Sequence, residues 1–539
     1  MKNDLHFKIV FLISAIALLI NVGSYGVIES SDARYAEIGR EMVTSGDYLH
    51  PNLLDVHHYH KPPLTYQITA LGYELFGVNP FGARFFLQIT VLIQLLLVYA
   101  LALLLFENKK TALWASLIYI SFHLVLISSR NLTTDAFLNT FALASIYAWV
   151  RYRKTASVGW LYVFTISLAL GFLTKGPVIF IIPVVFILFF NRTEKSITSL
   201  SIHHIFSWLL FLLIAASWFV YLATQNPDFI DYFLGRQTVD RFSKNAFGRT
   251  EPFWYFFAYN TLIDIPWTLI LAYLIIKQKQ LFTAKSIYFA LLASCVIPLI
   301  FFSISSSKRI LYVLPMYGLL AVLIAQLLAT LPSKNIRFIN YLIIGFSSLV
   351  IIAFIVTLGV DVTFHFPKAL GIVSLLLIPI IVWIYKTKNI DAKSKPIYTS
   401  FIISLFLLIG SSSVFSANQL KVNSNKPITD FLITNGLNQR AVMVYNSRKP
   451  SIAFGLNKSI ISLYDGHPSL ARETQFETDN SWKNYLIDVT DETELKYLQS
   501  VASKPSVLLL YKRPLPEKLT WLLGHYKHKE VMGKWTIYY

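Results

Sequence analysis

Residues 29–84 read ESSDARYAEIGREMVTSGDYLHPNLLDVHHYHKPPLTYQITALGYELFGVNPFGAR. This stretch separates two long apolar runs and is dense in charge, histidine and tyrosine. A connection that only turns the chain at a bilayer surface needs none of that. Asp32-Ala33-Arg34-Tyr35 opens a predicted helix that ends at Ser45-Gly46-Asp47. In His60-Lys61-Pro62-Pro63 two prolines stiffen the backbone beside one lysine. The pattern predicts an active-site loop lying on one face of a membrane.

The apolar flanks fix the class. The 539 residues are 55% hydrophobic and 14% charged, where a soluble domain averages ~25% charged. Runs near the length needed to cross hydrocarbon recur between residues 7 and 415. The predicted spans are 7–28, 82–105, 111–128, 136–150, 158–173, 177–190, 205–223, 256–276, 286–303, 311–330, 339–360, 368–385 and 397–415, thirteen in all. Residues 6–28 are long for a signal h-region and lack a small-residue cleavage site, so they are expected to stay as a helix. The reading is a polytopic α-helical membrane protein. Its net charge of +18 would suggest nucleic acid in a soluble chain. Here the basic residues cluster at alternate helix ends, as the positive-inside bias requires, which places the N-terminus inside and no nucleic acid among the partners. The single Cys295 excludes an intrachain disulfide and a structural Cys cluster.

This topology puts three substantial connections outside: 29–81, 224–255 and 303–310. After residue 417 the pattern changes. AVMVYN (441–446), SIISLYD (459–465), NYLIDV (484–489) and SVLLLY (506–511) read as strands, and 427–435, 491–503 and 515–524 as helices. The expected division is a membrane domain, 1–417, and a small extramembrane α/β domain, 418–539, which serves as a lid or docking domain.

Basic residues on the outer side oppose the topological rule and need a reason. They are Arg34, Arg40, Lys61, Arg84, Arg130, Lys175, Arg236, Arg241, Lys244, Arg249, Lys308 and Arg309. For Arg40, Arg84 and Lys244 the plain reading is contact with lipid headgroups. Lys61, Arg241 and Lys308 come from three distant segments, and such convergence neutralises a pyrophosphate or phosphodiester. Among carboxylates, Asp32 reads locally as a helix N-cap with its second oxygen free to act as a base. Asp135 reads as a cap with a functional alternative, and Glu37 and Glu41 as solvated. His57, His58 and His60 are spaced as metal ligands can be, though histidine-rich loops also line wet interfaces, which is the preferred reading. Two rivals share these features: a lipid-linked sugar transporter or flippase, which favours charged or broken helices at mid-membrane, and a receptor or scaffold acting through its outer domain. The spans read as clean, which argues against the first.

Seven segments carry a resemblance: SDARYAEIGREMVTSGDYLHP (31–51), YHKPPLTYQITALGYELFG (59–77), TTDAFL (133–138), GFLTKGP (171–177), DRFSKNAFGRTEPFWYF (240–256), FSISSSKRILYVLPMYGLLA (302–321) and YNSRKPSIAFGLNKSI (445–460). In order and spacing they resemble the GT-C membrane glycosyltransferases that use polyprenyl-phosphate sugars, above all the lipid A aminoarabinose transferases, which are related to the protein O-mannosyltransferases. The resemblance implies thirteen spans and a periplasmic domain. It implies an inverting transfer from an undecaprenyl-phosphate-type donor to a lipid A, glycolipid or other envelope acceptor, or to a protein, at the outer face of a bacterial inner membrane. Asp32, Lys61 and Arg241 become the catalytic candidates. Arg34, Tyr35, Tyr59, His60, Asp135, Lys308, Arg309 and Tyr312 become the substrate-binding candidates. The family has two adjacent acids before the ARY-like motif, where this chain has Ser31 and Asp32. His60 stands at the family's Glu position and Thr238 at its His position. Those two positions carry a metal in the relatives, so a divalent metal is the only cofactor the resemblance raises, with His60 its candidate ligand.

Overall fold

A computed structural model describes residues 2–193, 201–240, 243, 250–360, 362–466 and 470–539. The chain divides into two compact units. The first comprises Met1–Asn21, His60–Leu64 and Leu87–Val414; the second comprises Val22–Tyr59, Thr65–Phe86 and Phe415–Tyr539. The C-terminal α/β segment therefore forms one body with most of the stretch at 29–84.

The first unit is helical. Among the described residues, eight helices are long and apolar enough to cross a membrane, or ten if each of two bent pairs counts as one span. Three differences separate this from the thirteen expected. The first helix offers only Leu5–Leu19 as an apolar run. The two short spans expected at 158–173 and 177–190 form one apolar run, Val158–Phe190. The Thr134–Thr155 helix falls short because its polar side chains are used inside the protein. Gln94 Nε2 donates to the Ala136 carbonyl at 2.7 Å and to Thr140 Oγ1 at 2.8 Å. Tyr119 Oη donates to Gln94 Oε1 at 2.6 Å and accepts from Asn139 Nδ2 at 2.9 Å. This buried network joins three helices and satisfies groups that lipid could not.

The bent pairs correct the expectation of clean spans. Lys109–Ser121 and His123–Ser129 meet at 64°, and Tyr255–Ile263 and Trp267–Lys277 at 102°. Asp264 sits at the second break and serves the first. It accepts from the Leu124 N–H at 3.1 Å and from Tyr317 Oη at 2.6 Å. One oxygen thus satisfies an N–H freed by the break and the other a buried hydroxyl. Arg130 does similar work. It is buried, and donates to the carbonyls of Ala17 (3.2 Å), Leu18 (2.8 Å) and Leu408 (3.3 Å) and to Gln88 Oε1 (3.2 Å). Ala17 and Leu18 lie in the last turn of the Lys2–Leu19 helix, where carbonyls lack an intrahelical partner and a cation is favoured.

The second unit is built on a six-stranded sheet: β1 (Ala441–Tyr445), β2 (Ile461–Tyr464), β3 (Leu486–Asp488), β4 (Ser506–Tyr511), β5 (Lys529–Met532) and β6 (Trp535–Tyr538). The order is β3-β2-β1-β4-β6-β5. β1 to β4 are parallel; β5 and β6 form an antiparallel hairpin on one edge. All four predicted strands are present. The β5–β6 hairpin and the Pro450–Leu456 helix were not foreseen. The Ser31–Ser45 and Leu64–Phe76 helices complete the unit. Gly72 is needed where the Leu64–Phe76 helix meets the start of the Pro80–Phe106 helix, because a Cβ there would strike the Gly82 carbonyl.

Candidate functional site

In the second unit the DARY motif is organised by a buried ion pair. The Ser31–Ser45 helix starts one residue before Asp32, with Ser30 at the cap position and no side-chain cap bond. Asp32 is therefore not the N-cap. Arg84 Nη2 donates to Asp32 Oδ2 at 2.6 Å and Nε to Oδ1 at 3.2 Å, while the Ile28 N–H donates to Oδ2 at 2.8 Å. Arg84 also donates to the carbonyls of Val22, Tyr25 and Gly26 at 3.0–3.1 Å, and lies 4.0 Å from the Tyr25 ring centroid. Both side chains are buried. Two expectations are corrected: Arg84 is no lipid contact, and neither oxygen of Asp32 is left over for a base. Asp32 holds Arg84 against the chain that leads into the motif. Arg34, half-buried two residues on, has no hydrogen-bond acceptor among the described residues and is the open charge of this motif. Tyr35 lies against Tyr66, with centroids 5.2 Å apart. Tyr59 is 1% exposed between His57 and Phe476, so it packs the loop instead of lining an open cavity.

The acids and Arg40 further along this helix are buried too, against expectation. Arg40 donates to Glu37 at 2.6 and 2.8 Å. Glu41 accepts the N–H groups of Leu54 (2.6 Å) and Asp55 (3.2 Å), so it staples the helix to the following loop. Burial raises Glu37, Glu41 and Asp55 above the usual carboxylate range, Glu41 most clearly, with Glu37 and Asp55 adding like charge. The consequence for pH has a definite sign. A carboxyl whose folded pKa lies above its unfolded value binds more protons when folded, so its stabilisation is complete below the unfolded value near 4.5 and is lost as pH rises through the folded one. Thermal unfolding should therefore show stability falling above pH ~4.5 by up to about 1.4 kcal/mol per pH unit while Glu41 titrates. Glu41→Gln, which keeps an acceptor for one of the two N–H groups and removes the titration, should flatten that slope; an unchanged slope would remove Glu41 as its source.

In the first unit the TTDAFL and TKGP motifs meet. Thr133 caps the Thr134–Thr155 helix by accepting from the Asp135 N–H, so Asp135 is not the cap. Its carboxylate is bonded to Lys175 Nζ, and both side chains are about nine-tenths buried. Lys175 Nζ also lies 4.5 Å from the centroid of the Tyr312 ring. Three motifs that are far apart in sequence thus supply one carboxylate, one ammonium and one phenol. Asp135 and Tyr312 were among the expected residues; Lys175 was noticed only as an outward cation. Its signal was the invitation of a lone lysine between two apolar helices. Lys308 is differently used than expected. Its Nζ donates to the carbonyls of Glu251 and Ser305, each at 2.7 Å, and so ties together two loops that also meet in a Thr250–Ser307 bridge. His60 packs near Tyr232, with centroids 5.9 Å apart. Lys61 and Arg309 are half-buried. Arg241, Lys244 and Arg249 lie outside the described residues.

The fold and part of the sequence have known relatives. The crystal structure of ArnT from Cupriavidus metallidurans bound to undecaprenyl phosphate aligns with a TM-score of 0.77 at 17% identity, covering 99% of this chain and 98% of that one. The fold is of the GT-C type. The GT-C resemblance read from the motifs is borne out in sequence as well. Residues 10–233 match the family model of dolichyl-phosphate-mannose-protein mannosyltransferase. The undecaprenyl phosphate-α-4-amino-4-deoxy-L-arabinose arabinosyl transferase 2 of Proteus mirabilis is 33% identical over 302 residues, 55% of each chain. The corresponding transferase of Yersinia pestis (strain Pestoides F) is 30% identical over 330 residues, 60% of this chain and 59% of its own. The matched stretch spans little more than half the length of these curated relatives. The chain is a multi-pass membrane protein with this fold.

Proposed function

We propose that the chain is an inverting glycosyltransferase. It moves a sugar from a polyprenyl-phosphate donor of the undecaprenyl type to a lipid A, glycolipid or other envelope acceptor at the periplasmic face of a bacterial inner membrane. The observation that carries this reading is the match of residues 10–233 to a family of lipid-phosphate sugar transferases, on a fold shared with an ArnT crystallised with undecaprenyl phosphate. The outward orientation draws support from the basic inner connections and from the union of residues 22–59 with 415–539 in one compact unit.

In this mechanism the leaving group is the polyprenyl phosphate. Lys61, stiffened by Pro62-Pro63, neutralises the charge that grows on it, with Arg241 and Arg309 assisting. Lys308 acts by holding its loop. Asp135, kept in place by Lys175 beside Tyr312, is the carboxylate that takes or orients the acceptor hydroxyl. Asp32 is a positioning group through Arg84. A single displacement inverts the anomeric carbon. Of the two positions that hold a metal in the resembled family, Thr238 spends its hydroxyl on the Phe233 carbonyl at 2.9 Å, and His60 keeps a ligating nitrogen. No step is routed through a metal.

The test supplies purified protein with a synthetic polyprenyl-phosphate sugar and follows release of polyprenyl phosphate and the anomeric configuration of the product. Movement of the intact sugar lipid across a vesicle without cleavage would replace this reading with that of a flippase.

A further inference from the structure

The sheet of the second unit reverses its strand order at β1: the chain proceeds from β1 to β2 and β3 on one side, and returns with β4 on the other. In open parallel sheets the crevice beyond the carboxyl ends of the two strands flanking such a reversal is where ligands bind. Here those ends are Tyr445, paired with Leu510, and the segments that follow. Both strands leave the sheet through a left-handed residue, Asn446 (φ 45°) after β1 and Lys512 (φ 64°) after β4, so each chain turns sharply at the crevice.

The side chains gathered there are cationic. Lys449 Nζ stands 3.9 Å from the centroid of the Tyr511 ring and 5.7 Å from that of Trp535. Lys512 Nζ stands 5.1 Å from the same Tyr511 ring. The rings of Tyr511 and Trp535 are 4.9 Å apart and form the floor. Neither ammonium has a hydrogen-bond acceptor among the described residues, and neither does Arg513, exposed next in sequence. The nearby carboxylates also have other hydrogen-bond partners. Asp465 accepts from Tyr445 Oη at 2.6 Å and from Lys518 at 2.7 Å. Glu29 accepts from the Ser451 N–H at 3.0 Å and its hydroxyl at 2.6 Å. Burial lowers the pKa of Lys449; the charge of Glu29 works against this and that of Lys512 adds to it. Two like charges on one aromatic floor are unfavourable even with the Glu29 carboxylate acting on one of them, and a dianionic group bridging them removes that cost.

We propose that Lys449 and Lys512, with Arg513, form a binding site for a phosphate group at the strand-order reversal of the C-terminal sheet. The site belongs to the second unit alone and does not depend on the transfer reaction proposed above. The phosphate arrives either on a lipid headgroup or on a soluble molecule; the chemistry of recognition is the same.

Lysine footprinting of the full-length protein in detergent tests this. Acylation by a water-soluble active ester is mapped by mass spectrometry, with inorganic phosphate, short-chain phosphatidic acid or short-chain phosphatidylcholine added. Lys449 and Lys512 should be protected about tenfold, the worth of one charge-assisted contact, while exposed Lys504 and Lys527 are unaffected. Protection by both phosphate and phosphatidic acid identifies the phosphate group itself as the ligand. Protection by phosphatidic acid alone identifies a lipid headgroup. Protection by neither, or equal protection by phosphatidylcholine, overturns the proposal. Lys512→Gln, at an exposed position, should cut the protection of Lys449 about tenfold; full protection in that variant would show that the two lysines share no ligand.

Discussion

Asp32→Ala should destabilise the chain by about 3–5 kcal/mol. The substitution strands the Arg84 guanidinium in a fully buried position beside the carbonyls of Val22, Tyr25 and Gly26 and the Tyr25 ring. Breaking one side of a buried pair leaves an uncompensated charge, which costs more than the pair contributes. The companion variant separates this from a loss of shape. Asp32→Ala combined with Arg84→Met removes both charges and should recover much of the loss. Arg84→Lys should not be neutral, because a lysine cannot reproduce the fork that meets both carboxylate oxygens. Denaturant or thermal unfolding of the purified protein measures all three. If Asp32→Ala unfolds like the parent, Asp32 is not the anchor of this motif, and its assignment as a catalytic base revives.

Lys61→Ala should lower turnover about 10²–10³-fold, the usual worth of one group aimed at developing charge, without shifting the unfolding transition. The side chain is half-buried on a segment already held by Pro62 and Pro63, both buried, so its removal leaves the backbone supported. The loss should fall on kcat more than on KM, since the phosphate gains charge as the sugar leaves. Lys308→Ala makes the useful contrast. That ammonium is bonded to two carbonyls, so its loss should lower stability, with any fall in turnover following from the loosened loops. Normal turnover in Lys61→Ala would remove it from the chemistry.

Much of the architecture was legible from residue types. Apolar runs announced the helices, and alternating short apolar segments announced β1 to β4 and the extramembrane sheet. The misses have physical causes. The Thr134–Thr155 helix looks like a span by pattern, yet its Asn139 and Thr140 turn inward to Tyr119 and Gln94, and length alone cannot reveal that. The hairpin of β5 and β6 has the exposed sequence Lys529-Glu530 on its outer strand, which carries no burial signal. At the site, the pattern picked out Asp32, Asp135 and Tyr312 but not their partners. Arg84 lies 52 positions from Asp32 and Lys175 lies 40 from Asp135, and a pairing across such distances leaves no local periodicity. The charged residues read as solvated or lipid-facing, Glu37, Arg40 and Glu41, were misjudged for the same reason: helical spacing shows which share a face, not what covers it.

The guanidinium of Arg130 couples the order of synthesis to the order of assembly. Its acceptors at Ala17 and Leu18 leave the ribosome before it, whereas Leu408 follows 278 residues later. The earliest helix is therefore inserted long before the last member of its polar knot exists. Nascent chains halted short of that residue would hold a cation in apolar surroundings with part of its coordination missing, a state that quality-control proteases in the membrane are suited to recognise.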